Sequence, residues 1–575
     1  NSRNYIHKRG YDPLGNITSS IDAQESATAY EYDDLNRVKK VTDAEGGITE
    51  FSYDVRDNLL QVKDPEGRLT IYTYDKNDNL LSETKDGNQN TNRQRRYAYD
   101  QNGNLISSIN PEQEKITYEF DQANRLVKTQ VYANKDLAHP IKVTNYNFNE
   151  KNHLSGWNQQ VSSSLPEGIS PTTDIIPLSE TYTYNNLELL ESVAVNFGNF
   201  TKTYSYTYYP NGLKKTYTNP ENITYTYFYN KNNQLMAVHI PGEGQISWAN
   251  FYWMVPQTLL LPGGQKVTLK YDDFQQLQES VLKKADSTEL AKAVYEYDFA
   301  RNIKKIEKGE GTFNYNYDSL YRLTSADSPN GYAANDETFD YDGVGNRVSH
   351  GTNGTNATQS YNQKNQLQTI DSGDNTQDAT YTYNANGHTK TQIKNGVETE
   401  YIYNHEERLI AVKRNGSTIA DYAYNPHGQR VKKTVGGVTT WYFYAGNGLA
   451  AEYSNTGSLI KEYHFNPATT WMTDPLFQRT AAGELYYYHN DHLGTPQQLL
   501  DGSGNIVWSA QYSAFGKAHI IVNTVESNLR LPGQYFDAET GLHQNFMRDY
   551  DANTGRYLQE DPLGFESNPN YYFCS

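Results

Sequence analysis

The residues of this 575-residue sequence that could do chemistry are few, and the most suggestive lie near its C-terminus. Asp561 opens the turn Asp-Pro-Leu-Gly, and Arg556 precedes it in a Gly-Arg pair. A carboxylate in such a turn either accepts hydrogen bonds from backbone amides or, beside a second carboxylate, shares a proton and acts as acid or base. A structural turn, in which Asp561 bonds backbone amides ahead of Pro562, is the favoured interpretation within this chain.

Other reactive residue types form weaker patterns. His489, Asp491 and His492 lie close together in HNDHLG, but the sequence offers no second group of ligands, so we expect an ordinary turn and no metal or cofactor. Cys574 is the single cysteine, which excludes a disulfide within the chain. We interpret it as a residue of a frayed end. Motifs for serine or cysteine nucleophiles and phosphate-binding loops are absent from the sequence.

Composition narrows the function classes. The net charge of −18 leaves no basic excess to neutralise phosphates, so we expect no nucleic-acid partner. No stretch approaches the roughly 18 apolar residues of a membrane-spanning helix. Hydrophobic residues make up 36% and mean hydropathy is −0.83, yet 51 tyrosines distinguish the chain from a disordered one. This composition predicts a folded protein with much half-exposed sheet surface.

The rest of the sequence is a repeat. Its unit is aromatic-x-aromatic-Asp or Asn, then a polar turn, then Leu or Arg-Val, as in YTYDKNDNL and YAYDQNGNL. The aromatic residue before the acidic one recurs about every 21 residues. One regular run comprises Tyr11, Tyr32, Tyr53, Tyr74, Tyr99 and Phe120, and a second comprises Tyr297, Tyr317, Tyr341, Tyr361, Tyr383, Tyr403 and Tyr424.

Each unit predicts a β-hairpin. In LTIYTYD the side chains alternate, so Tyr72 and Tyr74 share a face, and Asp75 then begins a turn in which its carboxylate can bond the backbone two residues on. Because a hairpin cannot bury a face alone, about twenty of them must lie side by side. The sequence therefore predicts an all-β fold, a long antiparallel sheet that spirals and closes on itself or forms a solenoid.

The repeat weakens between about 125 and 270. The least polar stretch there, 238–267, carries Trp248 and Trp253. It could be an inserted loop or a partner surface, but a local core where the sheet bends is the favoured interpretation.

These units resemble YD repeats, also called RHS repeats, over about Tyr11 to Tyr444. The stretches 486–518 and 529–564 resemble the RHS-associated core domain of Rhs polymorphic toxins, Tc insecticidal toxin C subunits and wall-associated proteins. Animal teneurins carry a related shell. The resemblance implies that residues 1–480 wind into a hollow β-cocoon and that residues 481–575 are a core domain that curls inward to close one end.

The resemblance also implies an aspartic autoprotease with two Asp-Pro-x-Gly turns. Asp561 matches the first aspartate, and Arg556 matches the Gly-Arg that precedes it. The register continues to Asn570-Tyr571-Tyr572, so the second aspartate and the cleavage site are expected beyond Ser575. With half of a dyad, the chain should not cleave itself. A truncated member, a degenerate member, or a tail that continues beyond Ser575 would each fit this ending.

The expected function is a structural shell that encloses a C-terminal toxin cargo. Its expected partners are that cargo, a secretion machine or toxin-complex subunit, and glycans as a further candidate; its location is secreted or at the cell surface. No signal-peptide pattern begins the sequence, which reads as a fragment or processed form. The alternatives are a carbohydrate-binding or adhesion protein of the teneurin or wall-associated type, which a glycan-binding assay would detect, and an active protease.

Overall fold

The computed structural model describes residues 7–85, 93–163, 174–373, 375, 377–562 and 572. Within these residues the regular structure is entirely β-strand, and none of it is a helix long and apolar enough to cross a membrane. Forty-six strands form one sheet, and four more form a small second sheet. The predicted all-β fold is therefore confirmed.

The first half of the long sheet contains these strands: β1 Lys8–Tyr11, β2 Ile17–Ile21, β3 Ala27–Tyr32, β4 Val38–Thr42, β5 Ile48–Tyr53, β6 Leu59–Lys63, β7 Leu69–Tyr74, β8 Leu80–Lys85, β9 Gln94–Tyr99, β10 Leu105–Ile109, β11 Lys115–Phe120, β12 Leu126–Tyr132, β13 Lys142–Phe148, β14 Leu154–Val161, β15 Leu178–Tyr184, β16 Leu190–Asn196, β17 Thr201–Tyr208, β18 Lys214–Thr218, β19 Thr224–Tyr229, β20 Leu235–Ile240, β21 Gly244–Tyr252, β22 Val255–Leu260 and β23 Lys266–Tyr271.

The second half contains β24 Leu277–Lys283, β25 Glu289–Tyr297, β26 Ile303–Lys308, β27 Gly311–Tyr317, β28 Leu323–Asp327, β29 Glu337–Tyr341, β30 Arg347–Thr352, β31 Thr355–Tyr361, β32 Leu367–Asp371, β33 Ala379–Tyr383, β34 Thr389–Lys394, β35 Val397–Tyr403, β36 Leu409–Arg414, β37 Ser417–Tyr424, β38 Arg430–Val435, β39 Val438–Ala445, β40 Gly448–Ser454, β41 Leu459–Phe465, β42 Pro475–Thr480, β43 Leu485–Asn490, β44 Pro496–Leu500, β45 Ile506–Tyr512 and β46 Ala518–Asn523. The small sheet contains β47 Gln534–Asp537, β48 Leu542–Asn545, β49 Arg548–Asp551 and β50 Arg556–Tyr557. Each strand pairs antiparallel with the next along the chain, from β1 to β46 and again from β47 to β50.

The turns of the repeat are built by their first acidic residue, as the sequence predicts. Asp75 accepts hydrogen bonds at Oδ1 from the backbone N–H groups of Asn77 at 2.7 Å and Asn79 at 3.0 Å. Asp78, the fourth residue of the turn, takes a positive φ of 65°. Asn, Asp and Gly tolerate this conformation, which explains why they recur at that position.

The motif tyrosine joins one hairpin to the preceding one. The pairing between β6 and β7 reaches only to Gln61 opposite Ile71, so the carbonyl group of Leu59 lies beyond the ladder. The hydroxyl of Tyr74 donates a hydrogen bond to that carbonyl oxygen at 3.0 Å. The same bond, from a motif tyrosine to the first residue of the preceding return strand, is made by Tyr32, Tyr53, Tyr184, Tyr208, Tyr297, Tyr317, Tyr341, Tyr361, Tyr383, Tyr403, Tyr424, Tyr444 and Tyr512.

The sheet winds back onto itself along a row of turns that we call the winding seam. Glu45, Glu66 and Glu112 occupy the third position of the β4–β5, β6–β7 and β10–β11 turns. Their carboxylates accept backbone N–H bonds from Ser319 at 3.0 Å, Gly343 at 3.1 Å and Ala385 at 2.6 Å. These partners lie 274, 277 and 273 residues further along the chain, so the winding has nearly the same length at these three turns.

Opposite walls of the winding also meet face to face. Tyr225 on β19 is buried against Phe477 of β42, with ring centroids 5.7 Å apart, and its hydroxyl bonds Glu462 of β41 at 3.0 Å. Apolar residues between 157 and 282 and between 431 and 500 belong to one continuous hydrophobic cluster. In contrast, β3 and β5 alternate between exposed and half-buried side chains, so the inner face is filled only in part.

Strands β43–β46 continue the long sheet without a break across position 480, as far as Asn523. The domain boundary at 480 stays a prediction. In the stretch 238–267, Trp248 is buried in the main cluster, as a local core requires. Trp253 differs: it occupies the β21–β22 turn with positive φ and is 76% exposed. The stretch is a regular hairpin and contains no inserted loop.

The tyrosine bond gives a direct test. Tyr424→Phe deletes the hydroxyl that donates to the carbonyl of Leu409 at 2.8 Å, in a buried position. Leaving a buried carbonyl without a donor costs about 1–2 kcal/mol, so we expect a lower denaturant midpoint in urea unfolding. Tyr11→Phe is the matched control, because the Tyr11 hydroxyl is exposed and makes no hydrogen bond among the described residues. Equal midpoints for the two variants would contradict this role.

Candidate functional site

The C-terminal segment enters a cavity of about 500 Å³ on the inner face of the sheet. One wall comes from β7 to β11, with Tyr72 and Tyr97 among its residues, and another from the turns that hold His388 and Glu407. Tyr72 and Tyr74 both line this cavity, which confirms that they share a face. Met547, Arg548 and residues 559–562 complete the lining, so the segment that carries Asp561 lies inside the winding.

Asp561 forms an ion pair at the cavity wall. Its Oδ2 lies 3.0 Å from Nη2 of Arg548, and both side chains are largely buried. The Arg548 guanidinium in turn stacks on Tyr557, 3.8 Å from the ring centroid. Arg548, which the sequence reasoning missed, is therefore the cation that faces Asp561. Leu563 and Gly564 of the same turn lie outside the described residues.

Arg556 has a different position and different partners. Its guanidinium donates to the side-chain oxygen of Asn346 at 2.9 Å and to the carbonyl of Asn365 at 2.6 Å. It also stacks between Tyr361 and Tyr572, at 5.0 Å from each ring centroid. In this structure Arg556 fastens the C-terminal segment to the wall, and the cation beside Asp561 is Arg548.

Glu560, the neighbour of Asp561, ties three parts of the chain together. Its carboxylate pairs with Arg93, with Lys85 at 2.9 Å and with the Tyr572 hydroxyl at 3.1 Å, while its backbone N–H points to His388. Burial alone would raise the pKa of Glu560, but Arg93 and Lys85 lower that pKa to about 2. This carboxylate is therefore ionised at any pH above that value. We call it, with Lys85 and Arg93, the Glu560 clamp.

A second buried carboxylate reinforces the contact between windings. Glu407 pairs with Arg95 at 2.5 Å and with His388 at 3.2 Å. Burial would raise the pKa of Glu407, yet the charge of Arg95 and the contact with His388 hold that pKa well below its ordinary range. The Arg95–Glu407 pair joins β9 to the turn between β35 and β36, and the His388 contact joins that turn to the preceding one.

The small sheet is held to the same wall by a buried arginine. Arg430 pairs with Asp537 of β47, and both side chains are only 1% exposed. Its guanidinium also stacks near Tyr422, Tyr442 and Tyr535. Such a pair is costly to break, because either partner alone would be a buried unpaired charge. It fixes β47–β50, and hence Asp561, relative to the long sheet.

The described carboxylates of the C-terminal segment do not form a shared-proton dyad. Such a dyad needs two carboxylates close together so that only one ionises. Glu560 and Asp561 each face cations instead. Asp549 is a further carboxyl of this segment, and burial raises its pKa to about 6, although Gln559 donates to it at 2.6 Å. A catalytic role for Asp561 stays a prediction that requires a second aspartate.

The predicted turn HNDHLG is a turn of the repeat. Asp491 accepts backbone bonds from Leu493 and Thr495, both at 2.9 Å, and His492 packs edge-on against Tyr295. Over the residues that the structure covers, no three His, Cys, Asp or Glu side chains are grouped so as to hold a metal ion. Cys574 and the Asn570-Tyr571 pair lie outside the described residues.

Comparison with known proteins points to one family. The model of the teneurin YD-shell family matches residues 1–141 and 245–571. The unmatched interval falls within the stretch 125–270 where the sequence repeat weakens. The match thus covers both regular runs of the repeat and almost all of the C-terminal segment.

Three curated relatives are toxins or nucleases by name. The double-stranded DNA deaminase toxin A of Burkholderia cenocepacia is 36% identical over 96 residues, 16% of this chain and 7% of that protein. The toxin protein Tse5 of Pseudomonas aeruginosa is 38% identical over 94 residues, which are 16% of this chain and 7% of that protein. The tRNA3(Ser)-specific nuclease WapA of Bacillus spizizenii is 25% identical over 389 residues, 66% of this chain and 14% of that protein. The chain thus matches only a small part of each.

Solved structures share the fold over the whole chain. The crystal structure of TcdB2-TccC3 aligns with a TM-score of 0.65 at 16% identity, covering 99% of this chain and 36% of that one. The Photorhabdus luminescens Tc holotoxin pore aligns with a TM-score of 0.63 at 16% identity, covering 98% of this chain and 34% of that one.

The Glu560 clamp predicts a pH-dependent stability difference. Glu560→Gln leaves Arg93 and Lys85 without their carboxylate, which should cost about 3 kcal/mol at neutral pH. Because the folded-state pKa is depressed from its ordinary value of 4.5, this stabilisation is complete above pH 4.5 and is lost as pH falls toward about 2. Urea unfolding of the parent and of Glu560→Gln is measured between pH 7 and pH 3. The difference between their free energies of unfolding should shrink below pH 4.5.

Glu150→Gln is the control for this measurement, since Glu150 is an exposed turn residue. The free energy of unfolding of Glu150→Gln should equal that of the parent at every pH in this range. If the Glu560→Gln difference were the same at every pH, packing rather than charge would be its origin.

Proposed function

Because this chain belongs to the teneurin YD-shell family, we propose that it forms the closing end of a shell that encloses a polypeptide cargo following its C-terminal segment. The observation that carries the proposal is the path of residues 542–560. Most of them are buried, and Leu542 and Leu558 pack into the apolar cluster of β35–β37. Glu560 pairs with Lys85 of β8 and with Arg93 beside β9. A chain that continues from this segment therefore starts on the inside of the wall.

The nature of the cargo is proposed from the relatives. Their names describe a DNA deaminase toxin, a toxin protein and a tRNA nuclease, and each is many times longer than the part it shares with this chain. A common shell beside different activities is what an encapsulating function requires. We propose a toxin as the cargo, an exported or cell-surface location, and residues 481–575 as the unit that closes the shell.

The described residues contain small cavities on the inner face and, in other places, walls that touch. Two of the cavities on the inner face have volumes of about 500 and 480 Å³, which suits a small molecule and is far below a folded domain. Elsewhere the walls touch, as at Tyr225 and Phe477. In this proposal the chamber is completed by a partner, either a toxin-complex subunit or part of a secretion machine.

The alternative of carbohydrate adhesion has weaker support. It rests on aromatic rings that are free to stack on sugars. Many motif tyrosines are instead half-buried, and their hydroxyls are bonded to the backbone, as for Tyr53 and Tyr317. Trp253 is an exposed ring of the right kind, but it is a single position at one turn.

Protection from proteolysis tests enclosure. The gene is expressed beyond Ser575 with a specific protease site placed in the downstream region, and in a second version with the same site in the exposed turn at Asn353 and Gly354. We expect the turn site to be cut rapidly and the downstream site to resist until the shell is unfolded by denaturant. Gel electrophoresis measures both rates. Equal rates in the folded protein would contradict enclosure.

Autoproteolysis is tested on the same longer protein. With the second Asp-Pro turn present, the parent should release a C-terminal fragment, and Asp561→Asn should abolish its release. Intact-mass spectrometry detects the fragment. Arg548→Gln should slow release, because it removes the cation 3.0 Å from Asp561. If the parent and Asp561→Asn are both cut, or both remain whole, Asp561 is not the catalyst.

A further inference from the structure

The two walls that meet at Tyr225 and Phe477 share a buried carboxyl group. Glu462 of β41 is only 2% exposed. Its Oε1 accepts hydrogen bonds from the side-chain amide of Asn219 at 2.9 Å and from the hydroxyl of Tyr225 at 3.0 Å. These donors lie in the β18–β19 turn and in β19, 243 and 237 residues earlier in the chain. Glu462 therefore joins two walls that are distant in sequence.

The second oxygen of Glu462 is not bonded in the same way. Among the described residues, Oε2 is buried and has no hydrogen-bond partner. Nη1 of Arg479 on β42 lies 3.9 Å from it, beyond hydrogen-bonding distance, on a side chain that is 24% exposed. Leaving a charged oxygen buried without a hydrogen bond costs more than leaving a neutral one. With two neutral donors on Oε1 and none on Oε2, the geometry favours a protonated carboxyl group.

Another carboxylate approaches Glu462 from the opposite wall. Glu221 lies in the same turn as Asn219, pairs with Lys202 at 2.8 Å and accepts the hydroxyl of Tyr453 at 2.9 Å. Its negative charge repels an ionised Glu462 across the contact. Burial, together with this repulsion, raises the pKa of Glu462 to about 7, although the two donors on Oε1 and the nearby arginine oppose the shift.

The imidazole and phenol groups packed around this contact do not change charge near neutral pH. Burial and the charge of Lys214 lower the pKa of His464 to about 3, so this ring is neutral. Burial and the charge of Glu462 raise the pKa of Tyr217 and of Tyr225 above the ordinary value of 10. These three groups therefore do not titrate between pH 5 and pH 9, whereas Glu462 does.

We propose that Glu462 is a proton-dependent latch between these two walls of the winding. While the carboxyl group is protonated, it bonds Asn219 and Tyr225, and the walls stay in contact. When it ionises, a buried charge faces Glu221, and the contact around Tyr225 and Phe477 loosens. Because the folded-state pKa is raised from its ordinary value of 4.5, the stabilisation is complete below pH 4.5 and is lost as the pH rises to about 7. The latch concerns contact between the walls, so it does not depend on what the shell encloses.

Urea unfolding and amide hydrogen exchange of the whole chain at pH 5.5 and pH 8.5 test the latch. Glu462→Gln keeps an acceptor oxygen for the two donors but cannot ionise. The urea midpoint of the parent should fall relative to that of Glu462→Gln as the pH rises from 5.5 to 8.5. Over the same change, exchange in β19 and β41, corrected for the intrinsic effect of pH, should become about tenfold faster in the parent and stay unchanged in Glu462→Gln.

Glu289→Gln is the matched control, because Glu289 is an exposed carboxylate of β25. It should behave as the parent does at both pH values. The same difference between the parent and Glu462→Gln at pH 5.5 and pH 8.5 would overturn the proposal, since Glu462 would then act through packing alone. If Glu462→Gln does not fold, exchange in the parent decides: faster exchange at pH 8.5 in β19 and β41 but not in β3 and β5 supports the latch, and a uniform change overturns it.

Discussion

The hydrogen bond from the motif tyrosine to the preceding hairpin is the contact on which the rest of the structure depends. Each hairpin ends in a turn of fixed form, and the ladder to its neighbour stops short of that turn, as at Gln61 and Ile71. The tyrosine hydroxyl supplies the missing donor at the open carbonyl. This bond sets the offset between hairpins, and a constant offset lets many of them bend into one winding. The winding brings distant turns together, and the cavities lie inside it.

Local features of the fold could be predicted from the sequence because their causes are local. The alternation at Tyr72 and Tyr74 and the acidic start of the turn at Asp75 follow from neighbours along the chain. The winding seam could not be foreseen, since its partners lie more than 270 residues apart. A signal was nevertheless present: glutamate recurs at the third turn position in DAEGG, DPEGR and NPEQE. Trp253 was misread because a turn residue and a core residue look alike in an apolar stretch.

In the candidate site, too, the sequence indicates local features but not contacts between distant residues. The Asp-Pro turn singled out Asp561, but its partner in space, Arg548, precedes the Gly-Arg pair that the motif suggested. Glu560 drew no attention, although it is the residue that joins β8 and the start of β9 to the C-terminal segment. Its significance depends on Lys85, which is 475 residues earlier in the chain. Electrostatic roles of this kind become visible only when the winding is known.

The winding seam has a consequence for how such chains can change length. Repeat arrays usually gain or lose units freely, because each unit contacts only its neighbours. Here Glu45, Glu66 and Glu112 meet turns at separations of 274, 277 and 273 residues. One hairpin inserted between the two sides would carry every partner to the wrong turn at once. Over evolution, the array can lengthen before or after the winding that these contacts join, whereas the number of hairpins within that winding is held constant.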